Sequence, residues 1–181
     1  EEYGKDLILR FVEQYYAYAE ELWKDDMRNI PDGVVYGEEV SDPDQYGERG
    51  HVKVMVEKKG YKIKVDFTGS SKQFTSGFNA TYGGTYAGVM GVMFTVTNRL
   101  IPHNDGVIRN VKLIVPEGTC LNALPPAGTS VGTTYMVDTL MNAMWKALMQ
   151  LVPERSCAGW GTVGGSICAN SGMDNRIDAL R

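Results

Sequence analysis

Apolar residues recur at helical spacing near the beginning of the chain. Polar side chains lie between them, as expected of a helix that buries one side. The sequence NIPDG at 29–33 follows, and it predicts a turn because Pro fixes one backbone angle and Gly accepts a positive one. The apolar positions are Leu7, Ile8, Phe11, Val12, Tyr15, Ala19, Leu22 and Trp23.

Two later stretches alternate between apolar and polar residues. Val52, Val54 and Val56 alternate with polar neighbours, and the same period continues over 61–68 after a Lys-Lys-Gly turn. The pattern predicts a β-hairpin with one buried face, and it places Asp66 on the opposite face. The lysines around the turn are expected to form a solvated face; they are Lys58, Lys59, Lys62 and Lys64.

The second half of the chain predicts two more helices and a strand. Small and apolar residues fill 83–98, where the length favours a buried helix over a buried strand. A strand is expected over 107–115, and an amphipathic helix ends before Pro153. Its apolar positions are Met136, Val137, Leu140, Met141, Met144, Leu148 and Leu151. The fold class predicted is therefore α/β (α+β), with a hairpin and further strands packed against two apolar helices.

Composition narrows the function classes. The 181 residues are 43% hydrophobic and 22% charged, which fits one globular domain over 1–181 or a fragment of a larger subunit. Because the chain begins with Glu and leads directly into a helical pattern, we expect a fragment. The net charge of −4 argues against a nucleic-acid partner, and the longest apolar run, 87–96, is too short for a membrane span. Three widely spaced cysteines favour a reducing, cytoplasmic setting over a disulfide framework.

The sequence contains no recognised catalytic or metal-binding motif. The carboxylates at 42–48 lack the spacing of an EF-hand loop, and neither histidine lies at a metal-ligand spacing. His51 is expected at the surface and His103 in a capping role within a turn. The chain has enough cysteines and histidines for a catalytic Cys–His pair, but no local sequence motif supports one. The GxGxxG at 159–164 follows no hydrophobic strand, which favours a packed loop over a dinucleotide site.

Polar side chains at the ends of apolar elements are the remaining candidates for a binding site. Asp66, Thr68, Asn79 and Asn104 have donors and acceptors that could orient a ligand amide. The same side chains commonly bond to backbone groups of their own loops, so both interpretations stay open.

The order of motifs along the chain resembles that of the hydantoinase B/oxoprolinase family. The matching segments are VDFTGS at 65–70, FNA at 78–80, IPHNDG at 101–106, VPEGTCLNALPPA at 115–127 and a helix after Gly132. The resemblance covers nearly the whole chain. The family's Gly-Gly-Asn is replaced here by Val131-Gly132-Thr133, and its NAP-like turn by Asn79-Ala80-Thr81. These departures leave the substrate open.

The resemblance implies a subunit of an ATP-dependent hydrolase that opens a cyclic amide such as a hydantoin, 5-oxoproline or a lactam. It also implies a hydantoinase A-type partner subunit that handles ATP, and a divalent metal whose ligands are expected in sequence upstream of this fragment. No cofactor is expected on the fragment itself. Asp66, Asn79 and Asn104 are the predicted substrate-binding residues, and the catalytic residues remain unassigned.

Two alternatives are compatible with the same resemblance. One is an alpha-type subunit of an ATP-dependent acetone or acetophenone carboxylase. The other is a non-catalytic scaffold or docking module whose Met-rich helix packs on a partner subunit.

Overall fold

The structure, a computed structural model, describes residues 3–97 and 101–155. Cys157, Cys168 and the glycine-rich motif at 159–164 lie outside the described residues. The main elements in chain order are α1 (Lys5–Met27), β1 (Gly33–Val40), β2 (His51–Lys59), β3 (Lys62–Asp66), α2 (Tyr82–Val96), α3 (Asp105–Ile108), β4 (Val111–Ile114) and α4 (Met136–Leu148). Short 3-10 turns lie at Gly132–Thr134 and Pro153–Arg155.

The four strands form one mixed sheet in the order β1-β2-β3-β4. The first three strands are antiparallel neighbours, and β4 runs parallel to β3 after a connection that contains α2. The predicted hairpin is confirmed as β2 and β3, with Gly60 at φ 61° in its turn. The α/β fold class is therefore confirmed.

One face of the sheet packs against α4 and forms the core. The residues buried there from the hairpin include Val52, Val54, Val56, Ile63 and Val65. They meet the apolar side of α4, where Met136, Leu140 and Met144 are fully buried. The Met-rich stripe is thus core of this chain. The prediction that this stripe packs on a partner subunit is wrong, because Met136 and Met144 are buried in the core of this chain and Met141 is half-buried against it.

Strand β1 is not predicted by the alternation of the sequence. Its inner face consists of Gly33, Val35, Gly37 and Glu39, so Val35 is the one buried apolar side chain that it contributes. Helix α4 crosses β1 at Gly37, where a Cβ atom would overlap the carbonyl oxygen of Ala143 and lie 2.9 Å from the amide nitrogen of Ala147. Close backbone contact takes the place of side-chain packing in this strand.

The strand predicted over 107–115 is shorter in the structure. Residues Val107 and Ile108 belong to α3, and β4 covers only Val111–Ile114. Helix α3 begins here because the side chain of Asn104 accepts a hydrogen bond from the Gly106 amide at 2.9 Å.

The prediction that the four lysines around the hairpin turn form a solvated face is wrong for Lys58. Lys58 points into the core side of the sheet with 4% of its surface exposed. Its ammonium donates to the Ile30 carbonyl at 2.5 Å and to Asp32 Oδ1 at 2.7 Å. The hydrogen bond from Lys58, together with one from the Gly60 amide, lowers the pKa of Asp32. The turn at 29–33 therefore supplies the partner for a buried lysine.

Helix α1 is present as predicted, but only its last third is buried. Ala19, Trp23 and Met27 are fully buried, and the indole of Trp23 donates to the Tyr61 carbonyl at 2.8 Å. The first two thirds of the helix expose large apolar side chains: Leu7, Ile8, Leu9, Phe11, Tyr15 and Tyr18. Within the described ranges, no helix is long and apolar enough to cross a membrane.

Candidate functional site

Two loops meet where β3 and β4 end, and we call them the loop cluster: residues 67–81 and 115–135. Backbone hydrogen bonds join them, from Cys120 to Ser71 at 3.0 Å, from Ala80 to Cys120 at 2.8 Å and from Val131 to Gly77 at 3.1 Å. The segments that carry the family resemblance therefore adjoin each other in space, apart from IPHNDG, which precedes β4.

Gly132 lets the two loops of the cluster approach closely. A Cβ atom at this position would overlap the carbonyl oxygen of Asn79 and lie 3.0 Å from the Cα atom of Ala80. The central glycine of the Val131-Gly132-Thr133 segment is therefore required by packing against the segment at 78–80.

Asn79 lies inside the loop cluster and is fully buried. Its Oδ1 accepts from the Phe74 amide at 2.7 Å. Its Nδ2 donates to the carbonyls of Phe74 at 3.1 Å, Ser76 at 3.1 Å and Gly128 at 2.9 Å. The amide thus fastens its own loop to the second one, while its contact with a substrate stays a prediction.

Asp66 is the last residue of β3 and lies on the uncovered face of the sheet, as predicted. Its Oδ1 accepts from the Thr68 amide at 2.9 Å, and Lys64 Nζ lies 3.8 Å from Oδ2. Partial burial alone would raise the pKa of Asp66. The hydrogen bonds from Thr68 and the charge of Lys64 outweigh that effect, so the pKa is lowered. Asp66 is therefore a charged hydrogen-bond acceptor at neutral pH.

A groove of about 780 Å³ opens beside Asp66, and we call it the Asp66 groove. The strand register aligns Tyr36, Met55 and Asp66 across its floor. Gln150, beyond the end of α4, donates to the Tyr36 carbonyl at 2.7 Å and closes one side. The complete lining is Tyr36, Gly37, Glu38, Lys53, Val54, Met55, Asp66, Thr68, Lys146 and Gln150. Its volume is in the range of small-molecule sites.

Asn104 lies away from this groove. It caps α3 before the beginning of β4, and its Nδ2 is 3.5 Å from the Tyr15 carbonyl. Asp66, by contrast, pairs with Ile114 at the end of β4. The three predicted binding residues therefore occupy three places: Asp66 in the groove, Asn79 inside the loop cluster and Asn104 beside α1. Their role in binding a substrate stays a prediction.

The described histidines and cysteine do not form a nucleophilic pair. His51 is at the surface, with Nε2 3.1 Å from Glu38 Oε2. His103 stacks on Phe94 with ring centroids 3.5 Å apart, so the predicted capping role is wrong; the cap is Asn104. Cys120 is free and buried, and burial raises the pKa of its thiol to about 12. Such a thiol is a poor nucleophile at neutral pH.

The divalent metal implied by the resemblance does not fit the described residues. Over 3–97 and 101–155, no three His, Cys, Asp or Glu side chains converge on one point. In the acidic loop at 42–48, Asp44 Oδ1 accepts from the amides of Tyr46 at 2.8 Å and Glu48 at 2.9 Å, whereas its buried Oδ2 has no hydrogen-bond partner among the described residues. The described residues therefore form no cluster that could hold the implied metal.

Two known proteins are similar to this chain in sequence over nearly its whole length. A putative B-type subunit of a D-/L-hydantoinase from a Pseudomonas species is 31% identical over 194 residues, covering 97% of this chain and 31% of that protein. The beta subunit of the caprolactamase of Pseudomonas jessenii is 28% identical over 179 residues, covering 97% of this chain and 30% of that protein. The chain thus spans about 30% of the length of each relative.

Two solved structures share the fold. The crystal structure of the ATP-dependent caprolactamase from Pseudomonas jessenii superposes with a TM-score of 0.75 at 28% identity, over 91% of this chain and 28% of that one. A nucleotide-free acetone carboxylase superposes with a TM-score of 0.70 at 17% identity, over 85% of this chain and 22% of that one. The second likeness concerns the fold alone. The sequence model of the hydantoinase B/oxoprolinase family matches residues 1–177, and this chain belongs to that family.

Proposed function

We propose that this chain is part of a B-type subunit of an ATP-dependent enzyme that opens a cyclic amide. The observation that carries the proposal is the likeness to caprolactamase, which holds both in sequence and in structure at 28% identity. The likeness to acetone carboxylase, at 17% identity, supports a shared fold only. Amide opening is therefore favoured over ketone carboxylation.

The chemistry explains why such an enzyme needs ATP. An amide carbon is a poor electrophile, because the nitrogen lone pair is delocalised onto oxygen. Transfer of the terminal phosphoryl group of ATP to the amide oxygen removes this stabilisation and makes the carbon accept water. The ring C–N bond then breaks to leave an acyl phosphate, and a second water releases the phosphate, so that the products are the ring-opened amino acid, ADP and phosphate.

The Asp66 groove is the part of this chain that we propose to hold the cyclic amide. The charged carboxylate of Asp66 is an acceptor suited to the ring N–H, and Thr68 holds that carboxylate in place. Tyr36 and Met55 supply an apolar wall for ring carbons, and Lys53 places a cation in the same lining. A few fixed polar groups in a mainly apolar groove are typical of small-molecule sites.

The cofactors, partner and location belong to the same proposal. We propose that the ATP and a divalent metal are bound outside the described residues, with ATP on a hydantoinase A-type partner subunit. The names of the two relatives, which designate a B-type and a beta subunit, support a multi-subunit enzyme. A cytoplasmic location is proposed from the cysteine pattern, to which the free and buried Cys120 adds support.

The groove assignment is tested by Asp66→Asn in the complete subunit with its partner. Asparagine keeps the oxygen that accepts from Thr68 but removes the charge, so the fold is preserved. We expect the KM for the cyclic amide to rise about tenfold, the effect of about 1.4 kcal/mol for a hydrogen bond to a charged group. Glu117→Gln, which removes an exposed carboxylate outside the groove, is the matched control. Equal KM values for both variants would remove Asp66 from the binding site.

Subunit docking is a second candidate role, favoured by the exposed first two thirds of α1. Leu7, Phe11, Tyr15 and Tyr18 recur along one side of this helix and are at least 44% exposed. A stripe of large exposed apolar residues is typical of a surface that contacts another protein. If this stripe contacts the partner subunit, Phe11→Ser will abolish co-purification, whereas Val34→Ser, an exposed apolar position on β1, will not.

A further inference from the structure

A basic patch lies near β4 on the face of the sheet that does not pack against α4. It consists of Lys59, Lys62, Lys64, Arg109 and Lys112 and surrounds a groove of about 390 Å³. Glu57 is the one carboxylate in the described lining of this groove. The patch is unexpected in a chain with a net charge of −4 and a pI near 5.2.

The strand register places these lysines directly opposite each other. Lys59 pairs with Lys62 between β2 and β3, and Lys64, which lies opposite Glu57 of β2, pairs with Lys112 between β3 and β4. All four alternate with buried neighbours and therefore point to the same outer face. Like charges in directly opposite positions destabilise a sheet, so folding of this chain alone does not account for the arrangement.

Contacts within the chain position the patch but leave three of its five cations without a carboxylate partner among the described residues; Lys64 is not one of the three, since its Nζ lies 3.8 Å from Asp66 Oδ2. Lys62 Nζ donates to the neutral Asn110 Oδ1 at 2.5 Å and lies 4.9 Å from the ring centre of Tyr61. Arg109 is paired with Glu20 at 2.5 Å. In the part of the chain that the structure describes, neither Lys59 nor Lys112 has a carboxylate within 4 Å. A partner can therefore neutralise these two ammonium groups.

We infer that this basic patch binds an acidic segment of polypeptide. Its cations are spread over three neighbouring strands, which lie about 4.8 Å apart, and they suit a row of separate carboxylates. A single phosphate would instead require donors that converge on one point, for which arginine is the usual residue. The one arginine in the patch is already paired with Glu20. The inference does not depend on the proposed enzymatic activity.

The test measures binding of fluorescein-labelled hexaglutamate to the purified protein by fluorescence anisotropy at low salt. Lys112→Glu reverses one free cation, and Lys5→Glu makes the same charge change at an exposed site on α1. We expect Lys112→Glu to raise the Kd at least about tenfold, Lys5→Glu to change it less than about twofold, and added salt to weaken binding. Equal loss in both variants would overturn the inference.

A second measurement separates a binding surface from a merely structural one. Lys112→Glu converts a like-charged pair with Lys64 into an opposite pair, so we expect its melting temperature to rise while peptide binding falls. A fall in melting temperature together with the loss of binding would contradict the inference. Tighter binding of inorganic tripolyphosphate than of hexaglutamate would also overturn it, in favour of a small-anion site.

Discussion

Replacing Asn79 by alanine tests how the loop cluster is held together. The substitution removes four hydrogen bonds made by one fully buried side chain, and it leaves the Phe74 amide without its acceptor. A net hydrogen bond contributes about 1 kcal/mol, and a buried donor left unpaired costs about 1–3 kcal/mol. Because Nδ2 shares two hydrogens among three carbonyls, we expect a total loss of about 3 kcal/mol.

Thermal and urea unfolding measure this loss. For a protein of this size, 1 kcal/mol changes the Tm by about 2–4 °C, so Asn79→Ala will lower it by roughly 6–12 °C. Asn122→Ala is the control, because the Asn122 side chain makes one bond, to the Val115 carbonyl at 3.0 Å, and its removal will cost about 1 kcal/mol. A loss below about 1 kcal/mol for Asn79→Ala, or equal losses for the two variants, would refute the role assigned to Asn79 in closing the loops.

Three further predictions concern packing, pH and reactivity. Gly37→Ala will destabilise the fold by about 1–3 kcal/mol, because its Cβ overlaps the backbone of α4; Gly83→Ala, with open space around it, will not. The pKa of Asp66 is lower in the folded state than its ordinary value of 3.8, so its contribution to stability is present above that value and is lost as the pH falls through the folded pKa. The Tm difference between wild type and Asp66→Asn will therefore shrink on acidification, and a constant difference would contradict the pKa shift. Cys120 will react with iodoacetamide in urea but not in the native protein, as read by peptide mass spectrometry, since it is buried with a pKa of about 12; rapid native labelling would show that the thiol is accessible.

The elements that the sequence predicts are those with a strong period. The alternation over 52–66 predicts the hairpin and the outward direction of Asp66, and the stripe from Met136 to Leu148 predicts α4. Strand β1 lacks such a signal, because Gly33, Gly37 and Glu39 share its inner face with Val35. A strand that packs through its backbone leaves little trace in an apolar pattern.

The surroundings of the candidate site are predicted less completely than the fold, for a physical reason. Asp66 follows from local alternation, whereas the Asp66 groove also needs Tyr36 from the unpredicted β1 and Gln150 from beyond α4. Asn79 becomes buried only because a loop about 50 residues later, at Gly128, closes over it. Lys58 is drawn inward by Asp32, another partner distant in sequence. Such long-range pairs are set by tertiary packing, which local spacing does not encode.

Substrate-dependent ATP hydrolysis tests the proposed function most directly. The complete subunit with its partner would be assayed with caprolactam, hydantoin and 5-oxoproline, and separately with acetone or acetophenone in the presence of bicarbonate. Amide opening predicts that at least one cyclic amide stimulates ATP hydrolysis and yields its ring-opened amino acid, while the ketones do not. If only the ketones, in the presence of bicarbonate, stimulate ATP hydrolysis and no cyclic amide does, the amide-opening proposal is wrong and the subunit belongs to a carboxylase.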